Sequence, residues 1–150
     1  MIFDEYSYLT AGDPMPPVHF TAVENGPGLS NMKGQIILLN FFIIPCKHCK
    51  HMLEYFQEEI WPEFQHTENR LLIVGRGHTP EEISDFRNRG NYILPFAADP
   101  ERLNYDKFAE KKVPRNYLFD SHERLVYQTR GFDLDQMSTL RMVMLDLNSE

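Results

Sequence analysis

Cys46 and Cys49 are the two cysteines of this 150-residue chain, spaced C-x-x-C. Two thiols so close can cycle between dithiol and disulfide, or supply part of a metal site. What precedes and follows them favours the first. The apolar run Ile36 to Ile44, IILLNFFII, is interrupted only by Asn40 and reads as a buried strand. A helical pattern starts directly behind the pair. A helix start offers unpaired N–H groups and a partial positive charge, and both stabilise a thiolate, the reactive form of cysteine.

Lys47, His48, Lys50 and His51 surround the cysteines. Cations in a first helical turn oppose the helix dipole. A local rule broken at a suspected site points to function. His48, between the two thiols, can stabilise an anion by charge or hydrogen bonding. The lysines can also be read as a solvated face, and His19, His66, His78 and His122 as incidental. Two bland alternatives stand beside the redox reading. One is a structural disulfide. The other is a metal site using Cys46, Cys49 and His51 or His66, although zinc usually takes four ligands and no second C-x-x-C completes the set.

The elements that must carry this pair are legible in outline. Residues 11–17, AGDPMPP, cannot be a helix interior. Val18 to Val23 alternates like a strand, and Asn25 to Gly28, NGPG, is a turn. Cys49, Leu53, Phe56, Ile60 and Phe64 mark one face of a helix over Lys47 to His66, kinked or stopped near Pro62. Leu71 to Gly75 is a second buried strand. Thr79, Pro80 and Glu82 open a capped helix that Gly90 ends. Tyr92 to Phe96 reads as a short strand and Glu101 to Lys111 as a helix. Strands at 114–120 and 125–129 form an antiparallel pair. Asp133 and Gln136 start a last helix with Met137, Leu140, Met144 and Leu147 on its face. The order β, β, α, β, α, β, α, β, β, α predicts an α/β fold, a central mixed sheet with helices on both faces.

Composition sets the outer limits. Apolar residues make up 42% and charged ones 25%, so the chain can build a core. It reads as one domain over residues 1–150, with 1–10 peripheral. A net charge of -7 and no basic stripe argue against a nucleic-acid surface. The longest apolar run is too short to span a bilayer, so no membrane insertion is expected. Residues 1–10 carry acids and no Lys or Arg, unlike a signal peptide.

Several motifs together resemble the thioredoxin superfamily, and within it the TlpA/ResA-like thiol–disulfide oxidoreductases. They are Gly12-Asp13-x-x-Pro16-x-x-x-Phe20, Lys33-Gly34-Gln35, LLNFF before the cysteines, and VPRNYLFD from Val113 to Asp120. The long separation of Cys46 from Pro114 leaves room for the extra β–α unit of that branch. The resemblance implies roles by position. Cys46 is the exposed nucleophile and Cys49 the resolving cysteine. Pro114 is a cis-proline facing the pair, Val113 offers its backbone to a bound chain, and Pro45 and Lys47 belong to the docking surface. It further implies protein thiol or disulfide substrates, a redox-recycling partner and no cofactor. The bacterial periplasm or cell envelope is the implied compartment, with the cytoplasm open because no signal peptide is read.

Three positions depart from the family pattern. Pro45 stands where tryptophan usually precedes the first cysteine. Asn40 and Met52 occupy the two positions at which family members place a buried acid, and neither titrates; Glu54 points elsewhere on the helix. Lys112 replaces a glycine before the Val113-Pro114 segment. Two other functions remain as alternatives. A peroxiredoxin-like peroxidase would need proline and threonine or serine at Leu39 and Ile43. A redox-inactive binding domain could keep the same fold.

Overall fold

The computed structural model describes residues 4–23, 34–45 and 49–149, with the side chain of Cys49 left aside. Six strands are described: β1 (Thr21–Ala22), β2 (Ile37–Phe42), β3 (Arg70–Arg76), β4 (Phe96–Asp99), β5 (Arg115–Phe119) and β6 (Leu125–Arg130). They lie in one sheet in the order β1-β4-β3-β2-β5-β6. β2, β3 and β4 run parallel, while β1, β5 and β6 join antiparallel. β2 therefore sits inside the sheet, and all six of its residues are buried. That is why it reads as a continuous apolar run rather than an alternating one.

The helices are α1 (Cys49–Tyr55), α2 (Trp61–Phe64), α3 (Pro80–Gly90) and α4 (Leu134–Asn148). A π-helical turn, Phe56–Ile60, joins α1 to α2. The helical course expected behind the cysteines is thus present but altered where Pro62 predicted a fault. Proline has no N–H to donate and its ring presses on the carbonyl four residues back; the wider turn accommodates both. Leu53, Phe56, Ile60 and Phe64 face inward as their spacing predicts.

Strand alternation divides the core in two. Leu38, Phe42, Ile73, Phe96 and Leu118 pack with Leu53, Ile83, Met137, Leu140 and Met144 from the helices. Ile37, Leu39, Phe41, Val74, Tyr117 and Phe119 point the other way, onto Tyr105, Phe108 and Leu9. α3 approaches β3 closely at Gly75, where an added Cβ would lie 2.1 Å from Ile83 Cδ1. The capping box of α3 is formed as expected, with Thr79 accepting from the Glu82 N–H and Glu82 accepting from the Thr79 N–H.

Three expected elements differ. The helix over Glu101 to Lys111 is reduced to a 3-10 turn, Tyr105–Lys107. The Asp99 carboxylate accepts from the N–H groups of Asn104 (3.2 Å) and Tyr105 (2.8 Å), and Arg102 has φ +54°, so an α-helix cannot run through. The strand expected over Tyr92 to Phe96 begins instead at Phe96. Ile93 donates its N–H to Gln57 Oε1 at 2.8 Å, and Pro95 has no N–H for a ladder. The strand expected over Val18 to Val23 shrinks to two residues because both backbone groups of His19 pair with the Asn104 side chain, at 2.8 and 3.0 Å. The turn read at Asn25 to Gly28 lies outside the described residues.

At the sheet face away from the helices, Ser7 bridges Ala109 and Asp4 pairs with Arg115, a fully buried guanidinium. The resemblance motif at Gly12-Asp13 docks on the β5–β6 hairpin. Gly12 donates to the Leu125 carbonyl and Leu125 donates to that of Asp13, both at 2.9 Å. Phe20 meets Phe41 edge to face at 6.1 Å.

Candidate functional site

The sheet decides which residues surround the start of α1. β2 delivers the chain to Pro45, and α1 opens with Cys49. β5 starts beside the end of β2, with Phe41 paired to Arg115 and Asn40 to Asn116. Pro114 therefore stands beside the exit of β2. By strand alternation it shares a face with Asn116 and Leu118, the face that α1 covers. Pro114 is buried and Val113 half-buried. The Pro114 carbonyl accepts from the Gly131 N–H at 2.8 Å, which anchors the segment to the end of β6. The Val113–Pro114 and Ile44–Pro45 peptide bonds are both cis, and Pro45 is exposed. Cys46, Lys47 and His48 lie outside the described residues.

Under α1 the sheet carries neutral polar groups. Asn40, 1% exposed, donates from Nδ2 to Asn116 Oδ1 at 2.9 Å and to Met52 Sδ at 3.1 Å. Asn116 donates in turn to Thr129 Oγ1 at 3.0 Å. The Asn40 Oδ1 atom is buried with no hydrogen-bond partner among the described residues. An orphaned acceptor in a core is costly, and such groups call for a reason. Met52 lies one turn after Cys49 on α1, so this acceptor sits at the base of that helix. Glu54 is exposed, on another side of the helix.

The histidines separate. His51 stacks on Phe132 with ring centroids 6.2 Å apart. His66 lies beyond the end of α2, roughly 25 Å from Cys49 at 1.5 Å per helical residue, too far to share a metal with it. His78, which sequence reading treated as incidental, lies against the exit of β2. Its Nε2 accepts the Ile44 N–H at 2.8 Å, and its Nδ1 lies 3.3 Å from Glu82 Oε2. The Glu82 carboxyl is held below its ordinary pKa, chiefly by the Thr79 N–H and then by His78. Asn116 and Thr129 were also missed. No local pattern marks them, since their partners lie on other strands.

No protein-family model matches the chain. A curated relative, the thiol-disulfide oxidoreductase ResA of Bacillus thuringiensis (strain Al Hakam), is 23% identical over 103 residues, 69% of this chain and 59% of that protein. The chain thus matches well under two thirds of that relative's length. The solution structure of a candidate protein disulfide isomerase from Bacteroides thetaiotaomicron superimposes with a TM-score of 0.87 at 21% identity, covering 97% of this chain and 94% of that one. The thioredoxin domain of a thiol-disulfide oxidoreductase from Bacteroides vulgatus gives 0.73 at 15% identity, covering 90% and 98%. The fold is thioredoxin-like. The curated relatives that its sequence resembles are ResA thiol-disulfide oxidoreductases.

Proposed function

We propose that this protein is a thiol–disulfide oxidoreductase that exchanges disulfides with protein substrates through Cys46 and Cys49. One observation carries the reading: the C-x-x-C pair falls in sequence between the central strand β2 and α1, and the exit of β2 stands beside Pro114 at the start of β5. The names of the relatives support the same chemistry.

In this reading the Cys46 thiolate attacks one sulfur of a partner disulfide. A mixed disulfide forms and the partner's other sulfur leaves as a thiolate. Cys49, deprotonated, then attacks Cys46, and the second partner sulfur leaves. The partner has gained two electrons and, with water, two protons. The Cys46–Cys49 pair is oxidised and must be re-reduced by a second thiol donor. Run in reverse, the same steps oxidise a dithiol. Thiolate is favoured by the helix start and by His48, Lys47 and Lys50. The substrate chain docks along Val113-Pro114, Pro45 and Lys47, with backbone pairing to Val113. The cell envelope is the compartment that the resemblance favours; among the described residues no helix is long and apolar enough to cross a membrane.

Insulin reduction in the presence of a dithiol tests this reading. The wild type should accelerate precipitation of the insulin B chain, and Cys46→Ser should reduce the rate to background. A wild-type rate equal to background would leave a binding domain as the function of this fold.

A further inference from the structure

His78 sits in the turn between β3 and α3, yet its ring serves a different part of the chain. Nε2 accepts the Ile44 N–H at 2.8 Å, and Ile44 is two residues before Cys46. An imidazole nitrogen that accepts an amide proton is itself unprotonated. The ring proton is then on Nδ1, which donates to Glu82 Oε2 at 3.3 Å. The ring is largely enclosed, with 14% side-chain exposure. Ile44 lies beyond the paired part of β2, and Pro45 after it has no N–H. The Ile44 amide is thus the last backbone donor before Cys46, and a side chain from another element holds it.

We propose that His78 is a positioning residue for the segment that carries Cys46. Its ring accepts and pins the Ile44 amide, and Glu82 selects the tautomer that can do so. This rests on the thiol–disulfide reading only in naming Cys46 as the group positioned. Among the described residues, the groups facing the ring are Glu82 from α3 and the Ile44 amide from the β2 exit. The His78 N–H itself donates to the Gly75 carbonyl of β3 at 3.4 Å. Arg76 is turned away onto the Tyr105 ring at 4.8 Å, and Asp99 of β4 is taken up by Asn104 and Tyr105. Lys47 and His48 follow Cys46 in sequence, outside the described residues.

The test is amide hydrogen exchange at Ile44, followed by NMR in the full chain, with thiol–disulfide exchange measured alongside. His78→Gln supplies an Oε1 acceptor near the Nε2 position and does not titrate; His78→Leu supplies no acceptor. At neutral pH the Ile44 protection factor and the exchange rate should fall about tenfold in His78→Leu, the scale of one hydrogen bond, and stay near wild type in His78→Gln. Equal protection in His78→Leu and wild type overturns the proposal, as does protection in His78→Gln as low as in His78→Leu. A wild type without exchange activity but with this Ile44 pattern would sink the thiol–disulfide reading and uphold the pin. An active wild type lacking the pattern would do the reverse.

Discussion

Asn40 on β2 donates its side-chain amide to Asn116 Oδ1 on β5 at 2.9 Å, directly beneath the helix that Cys49 opens. The pair spans two neighbouring strands in register and leaves Asn40 Oδ1 without a partner among the described residues. A neutral amide thus occupies the ground where a titrating acid could oppose a thiolate. In the proposed mechanism a carboxylate there would make the thiols ionise less readily, and an amide brings no such charge.

Asn40→Asp converts this difference into a measurement. Burial will raise the new carboxyl's pKa, and its anion will raise those of the thiols. The redox potential should become more negative by about 30 mV or more, and the pH–rate profile should gain an ionisation. Glutathione titration and stopped-flow exchange read the two effects. An unchanged potential and profile would place Asn40 too far from the couple to matter.

In the proposed mechanism His48 and its neighbouring lysines stabilise an anion that exists only in the reduced form, which makes the disulfide more oxidising. The wild-type potential should lie about 30 to 60 mV above thioredoxin's roughly -270 mV. His48→Pro should raise the Cys46 pKa and lower the potential. Iodoacetamide titration and a redox buffer series provide the readings, and a wild type well below thioredoxin would contradict the electrostatic argument.

The sequence made visible what depends on local pattern. The buried run of β2, the inward face of α1, the Thr79–Glu82 capping box and the β5–β6 hairpin all follow from spacing and turn chemistry. Failures came where a distant side chain captured the backbone. Asp99 and Asn104 take the N–H and C=O groups that a helix near Tyr105 and a longer β1 would have used. The site divides the same way. Cys46, Cys49 and Pro114 stand out as residues, whereas His78 acts through an amide 34 positions away and Asn116 through neighbours on β2 and β6, contacts that no short motif encodes.

Asp4 and Arg115 form an ion pair nearly out of solvent, with side-chain exposures of 6% and 1%. Burial by itself would push the Asp4 carboxyl up. The Arg115 hydrogen bond, the Tyr6 N–H and the charges of Arg115 and Arg130 outweigh it and hold the carboxyl below its ordinary value. A depressed folded pKa gives stability that is present above the unfolded pKa of about 3.9 and is lost as pH falls through the folded value. Asp4→Ala should cost about 3 kcal/mol at neutral pH, near the low end for breaking a buried pair, because Lys111 and Tyr105 still accept from Arg115. Urea unfolding at neutral pH and below about pH 4 should show the difference shrinking with acid.

Burial pushes the Tyr117 phenol up to about 12, against the Ser7 hydrogen bond and the Arg115 charge. Its folded pKa is therefore raised. The associated stability is complete below an unfolded value of about 10 and drains away as pH rises towards about 12. Wild-type thermal stability should drop over that interval, and Tyr117→Phe should drop less. A phenolate absorbance titration should find one tyrosine ionising late.

The central claim is a covalent intermediate at Cys46, and trapping it is the most direct measurement. A disulfide-containing protein substrate is mixed with reduced Cys49→Ser and with reduced Cys46→Ser, and the products are resolved by non-reducing electrophoresis and peptide mass mapping. The account predicts a stable mixed disulfide on Cys46 in the Cys49→Ser protein and none in the Cys46→Ser protein. A mixed disulfide that accumulates on Cys49 instead, or adducts in neither variant, would contradict it.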